Sequence, residues 1–196
     1  RRAVQMISMS DRHPDIEEFI SVKSDLSKIS GANLSVMLSK DLLASALKDK
    51  DWTLCFPIDD KELINYDKNE DYSKLPYNEL VCIGDNKYIK KVKAKKLFDL
   101  IVYYAHKTAE PGILLKDNLY DYDPTSVYDD LRFVSTNPCG EQPLAPYDSC
   151  RLASVNLYEF VKNPFTKEAK FNFKDYYETV YKGILFMDNI IDCEIN

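Results

Sequence analysis

The sequence predicts an α/β fold, with a largely parallel sheet or barrel. Three observations carry that expectation. Residues 33–38 (NLSVML) alternate with period two, the mark of a half-buried strand. Amphipathic helical patterns stand on both sides of that strand, and the alternation of strand and helix recurs along the chain, which requires crossover connections. Finally, 196 residues with 45% hydrophobic side chains suffice for a sizeable core, while five glycines, nine prolines and 30% charged residues exclude collagenous, low-complexity and disordered chains.

Each element follows from local chemistry. Val4 to Ser10 is apolar and small enough for a strand, and Asp11, His13 and Pro14 signal the turn that ends it. A short amphipathic helix is expected over 14–23, with Pro14 at its first position, Asp15, Glu17 and Glu18 near its positive end, and Ile16, Phe19 and Ile20 facing inward. Lys23 to Gly31 reads as a polar loop. After the strand at 33–38, Ser39 is placed to cap a helix through Leu42, Leu43, Ala46 and Leu47, and 52–56 (WTLCF) is expected to be extended. Asp59 to Asp71 holds six acidic residues and two lysines, and six of the ten residues from Lys87 to Lys96 are lysine; both stretches read as solvated surface within a variable excursion at about 59–91.

Beyond the excursion, Leu97, Phe98, Ile101, Tyr104, Ala105 and Thr108 trace one face of a helix stopped by Pro111 and Gly112. Strands are expected at Gly112 to Lys116 and at Leu131 to Ser135, the latter interrupted at Asn137-Pro138, and Cys150 to Leu157 is mixed apolar and small. A long helix follows, with Phe173, Tyr176, Val180, Ile184, Met187 and Ile191 at spacings of three and four and Asn172 as its cap. There is no internal repeat and no obvious interdomain linker.

Charge and cysteine content narrow the function. A formal charge of −6 gives no basic footprint, so nucleic acid is not an expected direct ligand. The apolar stretch from Leu97 to Ala105 carries Asp99, so no run approaches the roughly 18 to 20 residues of a membrane span. Five cysteines, an odd number and too few for a disulfide scaffold, together with no leader-like start, point to a reducing, cytoplasmic setting. A start at Arg1 and a stop inside a helical pattern suggest a segment of a longer chain.

The stretch with most chemistry is Asn137-Pro138-Cys139-Gly140-Glu141-Gln142-Pro143-Leu144. Pro138 removes a donor and pushes Asn137 out of helical space, while Gly140 permits close backbone approach. If the segment is extended, Asn137, Cys139 and Glu141 project to one side, putting a carboxamide, a thiol and a carboxylate into one space. The same residues also fit a type I turn, with Cys139 a small buried residue.

The whole stretch resembles the finger loop of ribonucleotide reductase catalytic subunits, in the form found in the adenosylcobalamin-dependent class II enzymes. Asp148-Ser149-Cys150-Arg151-Leu152-Ala153-Ser154-Val155-Asn156-Leu157 is similar to the segment that follows in that family. The resemblance extends to Arg1-Arg2-Ala3 with His13-Pro14-Asp15-Ile16-Glu17-Glu18-Phe19-Ile20, to Asn33-Leu34-Ser35-Val36, to Glu110-Pro111-Gly112-Ile113 and to Met187-Asp188-Asn189-Ile190-Ile191-Asp192. It implies that residues 1–196 are a central fragment of a catalytic barrel domain, part of a ten-stranded α/β barrel with the radical cysteine on a finger loop.

The family chemistry assigns roles. A thiyl radical on Cys139 would take a hydrogen atom from the ribose C3′, Glu141 would accept the 3′-hydroxyl proton, and Asn137 would hold the sugar. The substrate would lie against Asn137, Pro138, Cys139, Gly140 and Glu141. Cys150 matches one thiol of the reducing pair, whose partner the resemblance places upstream of Arg1. Lys28, in the loop from Lys23 to Ala32, falls where the family couples an allosteric deoxynucleotide effector to base choice. The resemblance further implies adenosylcobalamin as cofactor, a ribonucleotide substrate, a thioredoxin- or glutaredoxin-like reductant and a homodimer.

Other readings stay open on the sequence. A class I subunit would share the Asn137, Cys139 and Glu141 roles but draw its radical from a second subunit; Pro138 and Gly140 favour class II. A non-catalytic fragment of such an enzyme is a second alternative. A thiol hydrolase would instead pair Cys139 with His106 and a carboxylate. Cys55, Cys82 and Cys193 match no redox position and read as structural, and the spacing of Cys139 and Cys150, without a nearby histidine, does not suit zinc.

Overall fold

The computed structural model describes residues 4–57, 75–84 and 86–195. The chain divides into two compact units, Arg1–Asp148 and Ser149–Asn196.

In the first unit, β1 (Gln5–Ser10), β2 (Ala32–Leu38) and β6 (Gly112–Leu115) form a parallel sheet in the order β1-β2-β6. Ile7 pairs with Leu34 and Val36 with Ile113, so β2 is the central strand. Its two faces do different work, because successive side chains of a strand point to opposite sides. Leu34, Val36 and Leu38 pack into a core with Ile16, Phe19 and Ile20 of α1 (Ile16–Ser21), Leu42 of α2 (Lys40–Leu47) and Leu97 and Ile101 of α3 (Ala94–Thr108). Met37 faces the other way, packing with Leu114 and Phe133. This part of the first unit is thus a parallel sheet with α1, α2 and α3 on one face and Leu119 of the short helix Lys116–Tyr122 on the other, in a mixed α/β architecture.

The predicted cap of α2 is present: the Ser39 hydroxyl accepts from the Leu42 N–H at 3.2 Å and donates to Asp11 Oδ2 at 2.7 Å. Asp11 Oδ2 also accepts from the Ser39 N–H at 2.7 Å. Burial raises the Asp11 carboxyl above its ordinary range, while the Ser39 hydrogen bonds and the charges of Arg12 and Lys116 pull it down. Pro14 stands two residues before α1 rather than at its first helical position, and Val22–Ser24 continue it as a 3₁₀ turn.

A second sheet, antiparallel in the order β3-β5-β4, is built from β3 (Asp51–Phe56), β4 (Val81–Gly84) and β5 (Lys87–Lys93). Residues Asp11 and Arg12 join it to β1. Trp52 Nε1 donates to the Asp11 carbonyl at 2.9 Å, Arg12 Nη1 donates to the Thr53 carbonyl at 3.0 Å, and the guanidinium lies 3.3 Å from the Trp52 ring centre.

This sheet corrects two expectations. β3 does not extend the parallel sheet, because its partner is the antiparallel β5. The lysine-rich run is not simply solvated surface: Lys87–Lys93 is the central strand, with Ile89, Lys91 and Val92 buried. Lysine permits this because its long stem covers apolar surface while the ammonium finds a partner; Lys91 Nζ stands 4.5 Å from the Tyr77 ring centre and Lys90 pairs with Glu17. Residues 58–74, which include the whole of the acidic run, lie outside the described residues.

Two further differences concern connections. Lys116–Tyr122 is a helix, α4, where no element was expected, and Leu131 belongs to a 3₁₀ turn, so the strand expected at 131–135 shrinks to β7 (Ser135–Thr136). α3 ends on Ala109 in the left-handed region, ahead of Pro111 and Gly112.

In the second unit, β9 (Val161–Lys162) and β10 (Lys170–Phe171) pair antiparallel, and α5 (Phe173–Ile195) is the long helix predicted from its periodicity. Asn172 Oδ1 accepts from the Asp175 N–H at 3.4 Å, at the position expected for its cap. Phe160, Phe171 and Tyr176 form an aromatic cluster at the head of this helix. No described helix is long and apolar enough to cross a membrane.

Candidate functional site

The stretch richest in chemistry is the tip of a β-hairpin. β7 pairs antiparallel with β8 (Pro143–Leu144), Ser135 opposite Leu144 and Thr136 opposite Pro143. Between them, the Gly140 N–H donates to the Asn137 carbonyl at 3.0 Å, and the Asn137 N–H donates to the Gln142 carbonyl at 3.2 Å. The extended arrangement, with Asn137, Cys139 and Glu141 along one strand face, is therefore not adopted. The turn reading of Asn-Pro-Cys-Gly prevails, since Pro138 suits the second turn position and Gly140 takes φ +84°, where a side chain is strained.

Cys139 is exposed at this tip, not buried as a turn-filling residue would be. Glu141 is exposed as well, while Asn137 is half-buried. The Asn137 side-chain oxygen accepts from the Gln142 N–H at 2.9 Å, closing the loop from within. Its amide nitrogen carries two donors besides, so one residue both shapes the loop and can offer hydrogen bonds. The hairpin thus gathers a thiol, a carboxylate and a carboxamide within five residues of one tight loop.

The hairpin lies on the sheet face opposite α1, α2 and α3. At its base, the Ser135 and Ser8 hydroxyls share a hydrogen bond of 2.9 Å. At its tip, Asn33 Nδ2 donates to the Pro138 carbonyl at 2.6 Å, and a Cβ built on Gly140 would lie 3.5 Å from a Leu114 methyl. Sequence reasoning missed Ser8, Asn33 and Leu114 as supports; the available signal was a polar residue on the non-core face of a period-two strand.

The same geometry removes the hydrolase triad. His106 belongs to α3, which packs on the helix-covered face through Leu97 and Ile101, whereas Cys139 stands over the opposite face.

Lys28 is exposed in a turn in which its N–H donates to the Asp25 carbonyl at 3.1 Å. The loop is pinned at both ends by one carboxylate: Glu110 Oε2 pairs with Lys23 Nζ at 2.5 Å, and Glu110 Oε1 accepts from the Leu34 N–H at 3.3 Å. Ile29 tucks against the core between them.

Cys150 is half-buried and lies in the second unit. The Arg151 guanidinium holds its neighbourhood, with Nη1 donating to the Ser149 hydroxyl at 2.8 Å and to the Cys150 carbonyl at 3.5 Å. Of the other cysteines, Cys55 is buried in β3 as a core residue should be, but Cys82 and Cys193 are exposed and have no packing role of that kind.

Comparison with known proteins agrees with these motifs. The family described as "Ribonucleotide reductase, barrel domain" matches residues 1–196. The chain belongs to the ribonucleotide reductase family. Among its relatives, the "Vitamin B12-dependent ribonucleoside-diphosphate reductase" of Thermoplasma acidophilum is 34% identical over 195 residues, covering 98% of this chain and 21% of the relative. The protein of the same name from Mycobacterium tuberculosis is 27% identical over 98% of this chain and 23% of its own length. The "Ribonucleoside-diphosphate reductase subunit alpha" of Chlamydia pneumoniae is 26% identical over 98% of this chain and 19% of its own length. The chain spans about a fifth of the length of these curated relatives.

Proposed function

We propose that the chain is the central part of a ribonucleotide reductase catalytic subunit that reduces ribonucleotides to 2′-deoxyribonucleotides, with Cys139 as the radical-carrying thiol. The observation that carries this reading is the exposed thiol at the apex of a tight hairpin, flanked by a carboxamide and a carboxylate and braced against the face of the parallel sheet opposite α1, α2 and α3. In the complete barrel of ten strands, that face is the interior, and the hairpin is the finger.

The division of labour follows from side-chain chemistry. The Cys139 sulfur radical takes the hydrogen atom from C3′, and Glu141 accepts the proton of the 3′-hydroxyl, leaving a radical that loses the 2′-hydroxyl; that group departs as water with one of the two protons the reducing thiols supply, and Glu141 returns its own proton to the 3′ oxygen as the 3′ carbonyl is reduced. Asn137 donates to the sugar through its amide while its oxygen shapes the loop. Cys150 and a second thiol then supply two electrons and two protons and close to a disulfide, so that ribonucleotide and two thiols give deoxyribonucleotide, water and disulfide. Return of the hydrogen atom from Cys139 to C3′ restores the radical. The disulfide is reopened by a thioredoxin- or glutaredoxin-like dithiol. Lys28 and its loop sit beside the substrate base and respond to a deoxynucleotide effector in a homodimeric, cytoplasmic enzyme.

Adenosylcobalamin is the cofactor suggested by the names of the relatives. When bound, it supplies a carbon radical by cobalt–carbon homolysis, which requires of this chain an accessible thiol, and Cys139 meets that requirement. Pro138 and Gly140 favour this class over the one with a separate radical subunit.

The test uses the complete reductase with adenosylcobalamin and a dithiol, and follows deoxyribonucleotide formation. Reduction is expected without any added metal-containing subunit, and Cys139→Ser is expected to abolish it. Glu141→Gln and Asn137→Ala should slow it, the former more, within the roughly 10²- to 10⁴-fold range of single acid–base contributions. Retention of even about 1% of reduction by Cys139→Ser would refute the assignment, because an alkoxyl radical on serine is far harder to form than a thiyl radical. Reduction that depends on a second subunit would overturn the cobalamin class and leave the residue roles standing.

A further inference from the structure

We propose that Asn33 is a positioning residue for Cys139, acting through the Pro138 carbonyl. The inference rests on the reading of Cys139 given above. Asn33 donates from Nδ2 to that carbonyl at 2.6 Å. The carbonyl belongs to the planar peptide unit that also contains the nitrogen and Cα of Cys139, so fixing its oxygen fixes the plane from which the thiol projects.

Asn33 is itself held firmly. It pairs with Met6 in the β1–β2 ladder, and the amide of the next residue, Leu34, donates to Glu110, whose other oxygen pairs with Lys23. The hairpin base is fixed separately by the Ser8–Ser135 bond, and the Leu114 methyl that a Cβ at Gly140 would meet has no directional bond to offer. Asn33 therefore supplies the directional bond that ties the tip to the sheet among the described residues. A carboxamide is the group needed, since its amide donates to a carbonyl; a carboxylate of the same size offers only acceptors. Because Asn33 directly follows the loop from Lys23 to Ala32, the anchor of that loop and the support of the thiol are one strand end.

The test compares Asn33→Asp and Asn33→Ala with the unaltered complete reductase, measuring kcat, KM for the ribonucleotide, and amide hydrogen exchange in the hairpin. Displacement of a reacting group by about 1 Å costs up to ~10²-fold in rate, so kcat should fall about 10- to 100-fold with KM kept within about twofold. Exchange at the Gly140 and Gln142 amides should quicken by about tenfold or more in both variants, while the core amides of α3 keep their protection. Asn33→Ala guards against misfolding caused by the introduced charge. A kcat within about twofold of the parent in either folded variant, or unchanged exchange at Gly140 and Gln142, would overturn the proposal. An unaltered enzyme without ribonucleotide reduction would instead defeat the reading of Cys139, and the exchange measurement would then decide alone whether Asn33 holds the turn.

Discussion

Gly112 is the position where sheet geometry leaves least room, and its replacement by alanine makes a quantitative test of how β2 and β6 meet. Ser35 and Gly112 are partners in the parallel ladder. A Cβ built on Gly112 would stand 2.8 Å from Ser35 Oγ, well inside van der Waals contact, whereas Leu34 O at 3.7 Å and Ser35 Cβ at 3.9 Å are ordinary neighbours. The conflict thus involves one atom. Ser35 is buried, so its hydroxyl has little freedom to turn away, and overpacking of this kind costs about 1–3 kcal/mol. Alanine also narrows the unfolded ensemble, which returns about 0.4–1 kcal/mol. Gly112→Ala should therefore destabilise the first unit by up to about 2.6 kcal/mol, the difference between these two effects.

The assay is urea unfolding followed by the fluorescence of Trp52, the sole tryptophan, which is buried in the core of that unit. Removing the hydroxyl in Ser35→Ala should abolish the clash, so that Gly112→Ala in that background becomes neutral or slightly stabilising. The expected coupling in the double-mutant cycle is about 1–3 kcal/mol. Equal destabilisation in both backgrounds would show that the Ser35 hydroxyl is not what excludes a side chain at 112, and the reasoning would be refuted.

Ser39→Ala should cost about 1–2 kcal/mol, because it removes both the cap of α2 and a donor to Asp11; unfolding midpoints would show it, and a change below about 0.3 kcal/mol would contradict the cap's importance. Asp11 should make stability fall as pH rises. Its folded pKa is raised by burial, so its contribution is fully present below the ordinary value of 3.8 and is lost as pH climbs through the folded value. Asp11→Asn should flatten that slope in urea midpoints, and parallel profiles would disprove it. Lys28→Ala in the complete reductase should shift the preference among ribonucleotides under a fixed effector, with little effect on the unfolding midpoint, as suits an exposed turn residue; an unchanged preference with every effector would remove Lys28 from that role. Cys150→Ser should block multiple turnovers, and thiol titration after one turnover should find Cys150 among two oxidised thiols; an unmodified Cys150 would exclude it as reductant.

The elements legible in the sequence were those whose own periodicity or chemistry determines them. β2, α2 with its Ser39 cap, α3 and α5 all declare themselves, because one face of each is apolar at the proper period or one hydroxyl meets an open amide. What could not be read depends on partners distant in sequence. β3 reads as a strand but does not reveal that its neighbour is β5, 31 residues or more beyond its end; that pairing also makes a strand of a lysine run whose composition argues for solvent. At the candidate site, Asn137, Cys139 and Glu141 stand out in the sequence while their arrangement is ambiguous, since Asn-Pro-Cys-Gly satisfies an extended segment and a turn alike. The hydrogen bonds from Gly140 to Asn137 and from Asn33 to Pro138 decide between them, and the second joins residues 105 positions apart.

The alternation of β2 explains why packing and chemistry constrain each other here. Leu34, Val36 and Leu38 belong to the core beneath the helices, while Asn33 and Met37 serve the hairpin side. A slip of one residue in the β1–β2 register would bring Leu34 under the Pro138 carbonyl, where it has no donor, and turn Asn33 into an apolar core. Burying that carboxamide unpaired would cost about 1–3 kcal/mol, in addition to the apolar burial lost by the leucine. The Met6–Asn33 pairing that belongs to the native β1–β2 register thus keeps Asn33 under the tip, although neither residue is among the chemical groups of the hairpin.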